Sequence, residues 1–393
     1  MFAGCGLGPS ATPTVAERSG SATPNSSSRT PSPAATKSQT ASEAFTVQEK
    51  CAQVVARMSL SEQIGQLLMV GVSSGGISAS EKTIVEETRA GSIILLGNTT
   101  AGASAVRRVV GEVHAATRNP EGVKVMLAAD QEGGLVQRLK GSGFARIPSA
   151  RVQAKQSNAA LRRNAYSWGR QLKDAGIDAN LAPVADVVPM SMVWVNKPIG
   201  KLHRGYGPSP KRVAAKVTAF TEGMDRAGVA TAVKHFPGLG RVRGNTDFVS
   251  RVVDTKTTRD DVALAGFRAA IDAGADMVMV SSAVYNKIDD NHRAAFSTMI
   301  MEEMLRKDLR FSGVVISDDL AAAAMRVLPP EERARRFIQA GGDLLIVGEA
   351  RLATPMADAI KREASDNPAF EKRVTSSAAR VVAMKQRRGL AHC

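Results

Sequence analysis

Short apolar runs alternate with longer amphipathic segments from about residue 46 to the end of the chain. The runs are rich in Val, Ile, Leu and Met and are six to eight residues long, which is typical of buried strands. They lie at 66–72, 92–97, 123–130, 180–187, 230–236, 276–282, 313–319 and 343–348. The pattern therefore predicts eight strands that are apolar along most of their length.

The segments between these runs place apolar residues three and four positions apart, as an amphipathic helix does. Helices of this kind are predicted at 104–118, 158–176, 210–228, 260–274 and 331–342, with flanking helices at 49–58 and 369–388. Several end in Ala-Gly or Gly-Gly, which suits a helix C-terminus.

The regular alternation of strand and helix predicts the fold. Apolar strands that are each followed by a helix indicate a parallel sheet covered on both faces, so we predict an α/β protein. Eight such units within one domain, 46–393, favour a single closed (β/α)8 barrel of the TIM type. An open doubly wound sheet is the alternative, but no G-x-G-x-x-G follows the first strand, which argues against its dinucleotide-binding form.

Polar side chains gather at the carboxyl ends of the predicted strands. They are Asp130, Asp186, Lys234, His235, Ser281, Ser282, Asp318 and Asp319. A single Asp at a strand end usually caps a helix or forms a turn. In a barrel enzyme, however, all the strands end at one mouth, where the active site lies. The set therefore predicts a polar pocket that contains several carboxylates.

The chain lacks the motifs of several other chemistries. Its five histidines have no metal-ligand spacing, and neither a phosphate-binding loop nor a nucleophile elbow occurs. We therefore expect no metal and no cofactor. Carboxylates without either suit glycoside hydrolysis, which needs one carboxylate as nucleophile and a second group as proton donor.

Five motifs point to a family. In chain order they are ADQEGGLVQR, LAPVADV, KHFPGLG, GVVISDDL and AGGDLLIVG, all within residues 50–390. Together they closely resemble the β-N-acetylglucosaminidases of glycoside hydrolase family three, single-barrel enzymes of bacterial cell-wall turnover. The resemblance implies a retaining exo-β-N-acetylglucosaminidase that removes terminal N-acetylglucosamine from peptidoglycan fragments. We expect a monomer whose partner is this oligosaccharide substrate.

The resemblance also assigns roles to residues at matching positions. Asp318, the first Asp of SDDL, matches the catalytic nucleophile, and we expect it within hydrogen-bond reach of the Lys234–His235 pair. The residues that match those binding the terminal sugar are Asp130, Arg138, Arg204, Lys234 and His235. Asp186 is expected to order the pocket through hydrogen bonds rather than to touch the bond that is cut.

The loop after KHFPGLG departs from the family. Where the resemblance places an Asp-Ser-His triplet whose His is the acid/base, this chain has Asn245-Thr246-Asp247. Asp247 takes the histidine position and is the candidate acid/base, since an aspartic acid in a shielded site can protonate a leaving oxygen. Arg241 and Arg243 nearby would favour its ionised form and oppose that role. The alternative is that Asp247 is only a loop residue.

Two other functions stay open at this point. One is hydrolysis of a different β-linked sugar by a barrel of the same family. The other is sugar binding without catalysis by a lipoprotein on the same fold, which the missing loop histidine suggests.

Residues 1–45 differ from the rest of the chain in composition. They are mainly Ser, Thr, Pro, Ala and Gly, and such a segment is predicted to be a disordered tether. The chain begins Met-Phe-Ala-Gly-Cys-Gly, and a small-small-Cys triplet before a tether resembles the mature start of a bacterial lipoprotein, although no signal peptide is present in this chain. We expect Cys5 to carry a lipid anchor that holds an exported protein at the cell envelope. The alternative is an ordinary Cys in a tail.

The net charge of +15 narrows the class of partners. Such a charge favours acidic partners, among them anionic envelope polymers. We expect no nucleic acid, because aromatic residues make up only 4% of the chain and the basic residues are scattered over many helices.

Two cysteines lie near the ends of the predicted barrel domain, Cys51 and Cys393. The first and last strands of a closed barrel are neighbours, so the flanking segments that carry these cysteines should meet at one edge. In an oxidising compartment they would form a disulfide, and the alternative is two free thiols.

Overall fold

The computed structural model describes residues 47–393, and the predictions for the tether and for Cys5 lie outside this range. The strands of the main sheet are β1 (Leu68–Ser73), β2 (Ser92–Leu96), β3 (Met126–Ala129), β4 (Ala179–Asn180), β5 (Ala230–Phe236), β6 (Met277–Val280), β7 (Val314–Ser317) and β8 (Leu345–Val347). Short outer strands lie at Gln131–Gly133, Val136–Gln137, Val253–Asp254, Val284–Tyr285 and Asp289–Arg293.

Helices follow the strands as the alternation predicts. They are α1 (47–56), α2 (Leu60–Gln66), α3 (Ala79–Thr88), α4 (Gly102–Ala116), α5 (Ala150–Gln153), α6 (Asn158–Asp174), α7 (Pro210–Arg226), α8 (Ala265–Asp272), a π-helix (Met299–Asp308), α9 (Pro330–Gln339), α10 (Ala353–Asp366) and α11 (Pro368–Arg387). Single 3-10 turns lie at Pro120–Gly122, Met190–Met192, Val262–Leu264, Ala294–Phe296, Ala323–Met325 and Ala350–Leu352. None of these helices is both long and apolar enough to cross a bilayer.

The eight strands of the main sheet form a barrel. They pair in parallel in the order β7-β6-β5-β4-β3-β2-β1-β8. A bridge between Ile316 and Leu344 joins β7 to the segment that leads into β8, and this closes the ring. Alternate side chains such as Met69, Ile94 and Met277 fill the interior, and the opposite faces of the strands pack against the helices. The predicted (β/α)8 barrel is therefore confirmed.

The fourth strand is much shorter than the sequence predicts. The apolar run 180–187 forms a ladder only over Ala179–Asn180, and it regains a single bridge between Val184 and Lys234. Pro183 lies between these two points and has no N–H to donate to a neighbouring strand, so the ladder stops there.

The C-terminal helix closes the end of the barrel at which the strands begin. Val381, Met384 and Leu390 belong to the apolar cluster of the barrel interior. The buried Lys385 Nζ donates to the carbonyl of Gly91, just before β2, at 2.6 Å. Burial lowers the pKa of Lys385 to about 7. This end of the barrel is therefore sealed, which leaves the opposite end for the site.

The two cysteines meet as predicted. The Sγ atoms of Cys51, in α1, and Cys393, after α11, lie 2.09 Å apart, with their Cα atoms 4.9 Å apart. Cys51 is fully buried. The bond joins the first and last helices of the barrel across 342 residues of chain.

Candidate active site

One cavity of about 470 Å³ is lined by all the residues that the resemblance assigns to catalysis or sugar binding, whereas Ser281 and Ser282, also predicted at this mouth, do not line it. Its walls include Asp130, Arg138, Arg204, Lys234, His235, Asp247 and Asp318. Interior side chains of the barrel, among them Ile94, Leu181 and Ile346, form its floor. The cavity therefore lies over the carboxyl ends of the strands, and its floor is closed.

The segment after β3 folds back as a small hairpin that places two of these residues. Gly133 (φ 106°) and Gly134 (φ 60°) make the turn, in backbone conformations that favour glycine. The hairpin brings Arg138 beside Asp130, whose carbonyl accepts the Arg138 N–H at 3.2 Å. The Arg138 guanidinium approaches Asn98 Oδ1 at 3.4 Å, which leaves most of its donors to the cavity.

The end of β5 supplies an ammonium and an imidazole. Neighbouring side chains of a regular strand face opposite sides, but the pairing of β5 with β6 shifts between Lys234 and Phe236, and both Lys234 and His235 line the cavity. Lys234 Nζ lies 2.6 Å from Asp130 Oδ1 and 2.7 Å from Glu132 Oε1. Burial lowers the pKa of Lys234, but these two carboxylates raise it by more, so the ammonium stays charged.

Glu132 is a residue of the site that the sequence analysis missed. It is buried and accepts Arg204 Nε at 2.9 Å and Nη2 at 2.7 Å, in addition to Lys234. Burial raises the pKa of Glu132, but the two cations outweigh burial and hold it well below its ordinary value. The one signal in the sequence is its position two residues after Asp130. Glu132 fixes the directions of both cations before a ligand arrives.

Asp186 lies behind His235 and not in the cavity. Its Oδ2 is 2.8 Å from His235 Nδ1, and its Oδ1 accepts the N–H of Leu239 at 2.7 Å. Arg204 Nη2 can only donate, so its 3.4 Å contact with His235 Nε2 makes Nε2 the acceptor and assigns the proton to Nδ1. Asp186 thus orients the imidazole and ties the start of the next loop to it.

The two aspartates after β7 differ in their surroundings. Asp319 Oδ1 accepts the N–H groups of Ala321 at 2.8 Å and Gly348 at 2.9 Å, so it links the loops after β7 and β8. The Asp318 carboxylate accepts only the Asp319 N–H, at 2.9 Å, among the described residues, and otherwise faces the cavity.

Asp318 lines the same cavity as Lys234 and His235, but no hydrogen bond joins it to either side chain within residues 47–393. Lys234 is held by Asp130 and Glu132, and His235 is held by Asp186. The three groups line the same cavity, and among the described residues the Asp318 carboxylate forms no ion pair.

The electrostatics of Asp318 leave it ionised at neutral pH. Burial raises its pKa, His235 lowers it, Asp247 raises it, and the result is about 6. The carboxylate is therefore protonated in acid and ionised above about pH 6. An ionised and uncovered carboxylate in a closed pocket can act as a nucleophile.

Asp247 lies in a loop that borders the cavity and is hydrogen-bonded to the chain after Asp318. The carbonyls of Thr246 and Asp247 accept the N–H groups of Ala324 at 3.0 Å and Ala323 at 3.3 Å, in the chain that follows Asp318. Asn245 Oδ1 accepts the Asp247 N–H at 3.1 Å. Asn245 therefore shapes the loop in which Asp247 lies.

Of the two arginines near Asp247 in the sequence, one has a carboxylate partner elsewhere. Arg241 pairs with Asp261, with Nη2 and Oδ1 3.0 Å apart, and Asp261 caps the 3-10 turn before α8. Neither Arg241 nor Arg243 lines the cavity. Among the described residues, no group of three or more His, Cys, Asp or Glu could hold a metal ion.

Known proteins share both the sequence and the fold. The profile of the "Glycosyl hydrolase family 3 N terminal domain" matches residues 59–384. A β-hexosaminidase from Vibrio cholerae serotype O1 (strain M66-2) is 31% identical over 290 residues, which cover 73% of this chain and 83% of that protein.

Two solved structures resemble the barrel. The β-N-acetylhexosaminidase from Beutenbergia cavernae DSM 12333 is 41% identical, with a TM-score of 0.83, and the match covers 84% of this chain and 99% of that one. A family 3 β-N-acetylglucosaminidase from Paenibacillus sp. str. FPU-7 is 28% identical, with a TM-score of 0.76, and the match covers 86% of this chain and 64% of that one. The profile, the relatives and the carboxylate-lined mouth agree: the chain belongs to glycosyl hydrolase family 3 and is a hydrolase of O-glycosyl bonds.

Proposed function

We propose that the protein is a retaining exo-β-N-acetylglucosaminidase. One observation carries the proposal. In a cavity whose floor is closed, the ionised Asp318 carboxylate faces the interior among hydrogen-bond donors and acceptors that suit a sugar. A closed floor leaves room for the end of a sugar chain but not for its middle. The name β-N-acetylglucosaminidase of the Paenibacillus protein supports N-acetylglucosamine as the terminal sugar, and the name β-hexosaminidase of the Vibrio protein supports a hexosamine.

In this proposal Asp318 attacks the anomeric carbon while the glycosidic C–O bond breaks and the acid/base protonates the leaving oxygen. Water, deprotonated by the same acid/base, then hydrolyses the covalent glycosyl-enzyme and regenerates the Asp318 carboxylate. Asp130 accepts hydrogen bonds from sugar hydroxyls, Arg138, Arg204 and Lys234 donate to others, and His235 offers Nε2 as an acceptor. Glu132 and Asp186 already hold Arg204, Lys234 and His235 in place. Such preorganisation reduces the cost of ordering the site when the transition state forms.

An assay with an aryl β-N-acetylglucosaminide beside an aryl β-glucoside tests the proposal. We expect hydrolysis of the first and little of the second. Faster hydrolysis of the glucoside would assign a different β-linked sugar. Binding of N-acetylglucosamine without hydrolysis of either substrate would indicate a sugar-binding protein, the function that the missing loop histidine suggests.

We further propose Asp247 as the acid/base. Asp247→Ala should slow substrates with poor leaving groups by about 10²- to 10⁴-fold and substrates with good leaving groups much less, because only the former need a proton on the leaving oxygen. Added azide should restore part of the rate with good leaving groups, by attacking the glycosyl-enzyme without base catalysis. Asp358→Ala, which removes an exposed carboxylate on α10, is the control. An unchanged rate of Asp247→Ala on a natural disaccharide would contradict the role.

For its setting we propose a monomeric, exported lipoprotein that acts on peptidoglycan fragments. The disulfide supports an oxidising compartment. In cells that make the full-length protein with its export signal, we expect activity in the membrane fraction, and Cys5→Ala should release it because the acyl anchor is lost. Activity that is soluble in both forms would contradict the anchor.

A further inference from the structure

Two more cavities adjoin the active-site cavity along one face of the barrel. The first, of about 460 Å³, shares Leu135 and Leu202 with the active-site cavity. The second, of about 570 Å³, shares His203 with the first. The three cavities therefore follow one another outward from the mouth. We call the two outer ones the side track; its charged walls are Arg146, Arg151, Lys155, Arg212 and Lys216.

The side track is basic and carries no acidic group. Within residues 47–393, neither Asp nor Glu lines it, and none of its five cations makes an ion pair. Lys216 is buried, and its Nζ donates to neutral oxygens, the carbonyl of Gln156 and Asn158 Oδ1. A buried ammonium without an opposite charge is costly, so an anion in this cavity would be bound favourably.

Exposed apolar side chains run beside these cations. Leu135 is 65% exposed where the first cavity leaves the mouth, Val152 is 48% exposed in its wall, and Trp194 is 67% exposed beside the second cavity. The Arg151 guanidinium lies 5.7 Å from the centre of the Trp194 ring. Exposed apolar surface rimmed by charge is typical of a ligand-binding groove. A flat ring with a guanidinium beside it offers a packing surface for a sugar ring and a donor pair for a carboxylate.

We propose that the side track binds the units of the substrate that follow the terminal sugar, and that these units form a glycan chain of several sugars bearing carboxylates. The inference rests on the proposed function, because the cavity that would hold the terminal sugar meets the side track at Leu135 and Leu202. A single neutral leaving group would use neither the cations nor Trp194. The pocket thus selects the terminal sugar, and the side track selects the chain that carries it.

Binding to the Asp318→Asn protein tests the inference without turnover. The ligands are two tetrasaccharides that end in β-linked N-acetylglucosamine, one with carboxylates on its inner sugars and one with carboxamides in the same places. Calorimetry should show the acid binding about ten-fold tighter than the amide. Arg151→Gln combined with Lys155→Gln should bring the two affinities to within about three-fold of each other. Lys361→Gln with Arg362→Gln, both exposed on α10, removes the same charge elsewhere and should preserve the preference.

Equal affinity for acid and amide in the Asp318→Asn protein would overturn the inference. The inference would also be overturned if the α10 control lost its preference for the acid as fully as the Arg151→Gln, Lys155→Gln variant does. That result would mean that the preference depends on net charge alone. The aryl assay on the parent protein keeps the two proposals apart. A parent that hydrolyses the aryl N-acetylglucosaminide but shows no preference for the acid overturns the side track only, and a preference without hydrolysis overturns the proposed function only.

Discussion

Asp318→Asn is expected to reduce hydrolysis of an aryl N-acetylglucosaminide by about 10⁴-fold or more, because a neutral amide cannot replace the ionised carboxylate as nucleophile. The fold should survive. Asn is nearly isosteric, and its side-chain oxygen can still accept the Asp319 N–H. A fluorinated N-acetylglucosaminide that stalls at the covalent intermediate should add its mass to the parent and not to the variant. More than about one hundredth of the parental rate in the variant would contradict the nucleophile.

Asp318→Asn should also leave the protein at least as stable as the parent at neutral pH. Folding raises the pKa of Asp318 from 3.8 to about 6, so the stability linked to its protonated form is full below about pH 4 and is lost as pH rises through about 6. A neutral Asn avoids that loss, so the melting temperature of the variant at pH 7.5 should equal or exceed that of the parent. In the parent, activity should fall as pH drops through about 6, because the nucleophile becomes protonated. An acid limb that lies well away from this pH would contradict the assignment.

Loss of the Cys51–Cys393 bond is expected to lower the free energy of unfolding by up to about 5 kcal/mol, because the bond restrains a loop that spans nearly the whole domain. Denaturant unfolding of the oxidised and the reduced protein measures the difference without changing a side chain. Cys51→Ala, Cys393→Ala and the double variant should be nearly equal once the small cavity left at Cys51 is allowed for, since either change breaks the same bond. Identical midpoints with and without reductant would show that the bond contributes nothing to stability.

Much of the barrel could be predicted because its strands are apolar on both faces and its helices are amphipathic. The fifth strand was predicted at 230–236 and lies at Ala230–Phe236. The fourth failed at Pro183, where an apolar run satisfies the pattern but lacks a donor for the ladder. Apolar patterning predicts which residues are buried, and the available backbone hydrogen bonds decide how many of them pair with a neighbouring strand.

The site could be located from strand ends and motifs, but its charge pairs could not. Glu132 and Arg204 are 72 residues apart, and nothing local to either one indicates the other. Arg241 and Asp261 are 20 residues apart, and their pairing is likewise not indicated by the sequence around either one. Each polar side chain has several possible partners in the sequence, and only the folded distances choose among them.

Because the C-terminal helix seals one end of the barrel, the two ends of the barrel differ. We call the sealed end the back and the end with the active-site cavity the front. Lys385 contacts the chain before β2, the Lys124 N–H donates to the carbonyl of Leu390 before β3, and Arg57, after α1, pairs with Glu121 in the same region. The first and last helices are therefore joined at the back, while the cavity that Asp318 and Asp247 line opens at the front. Because the back of the described barrel is sealed, a long glycan reaches this cavity end-on from the front.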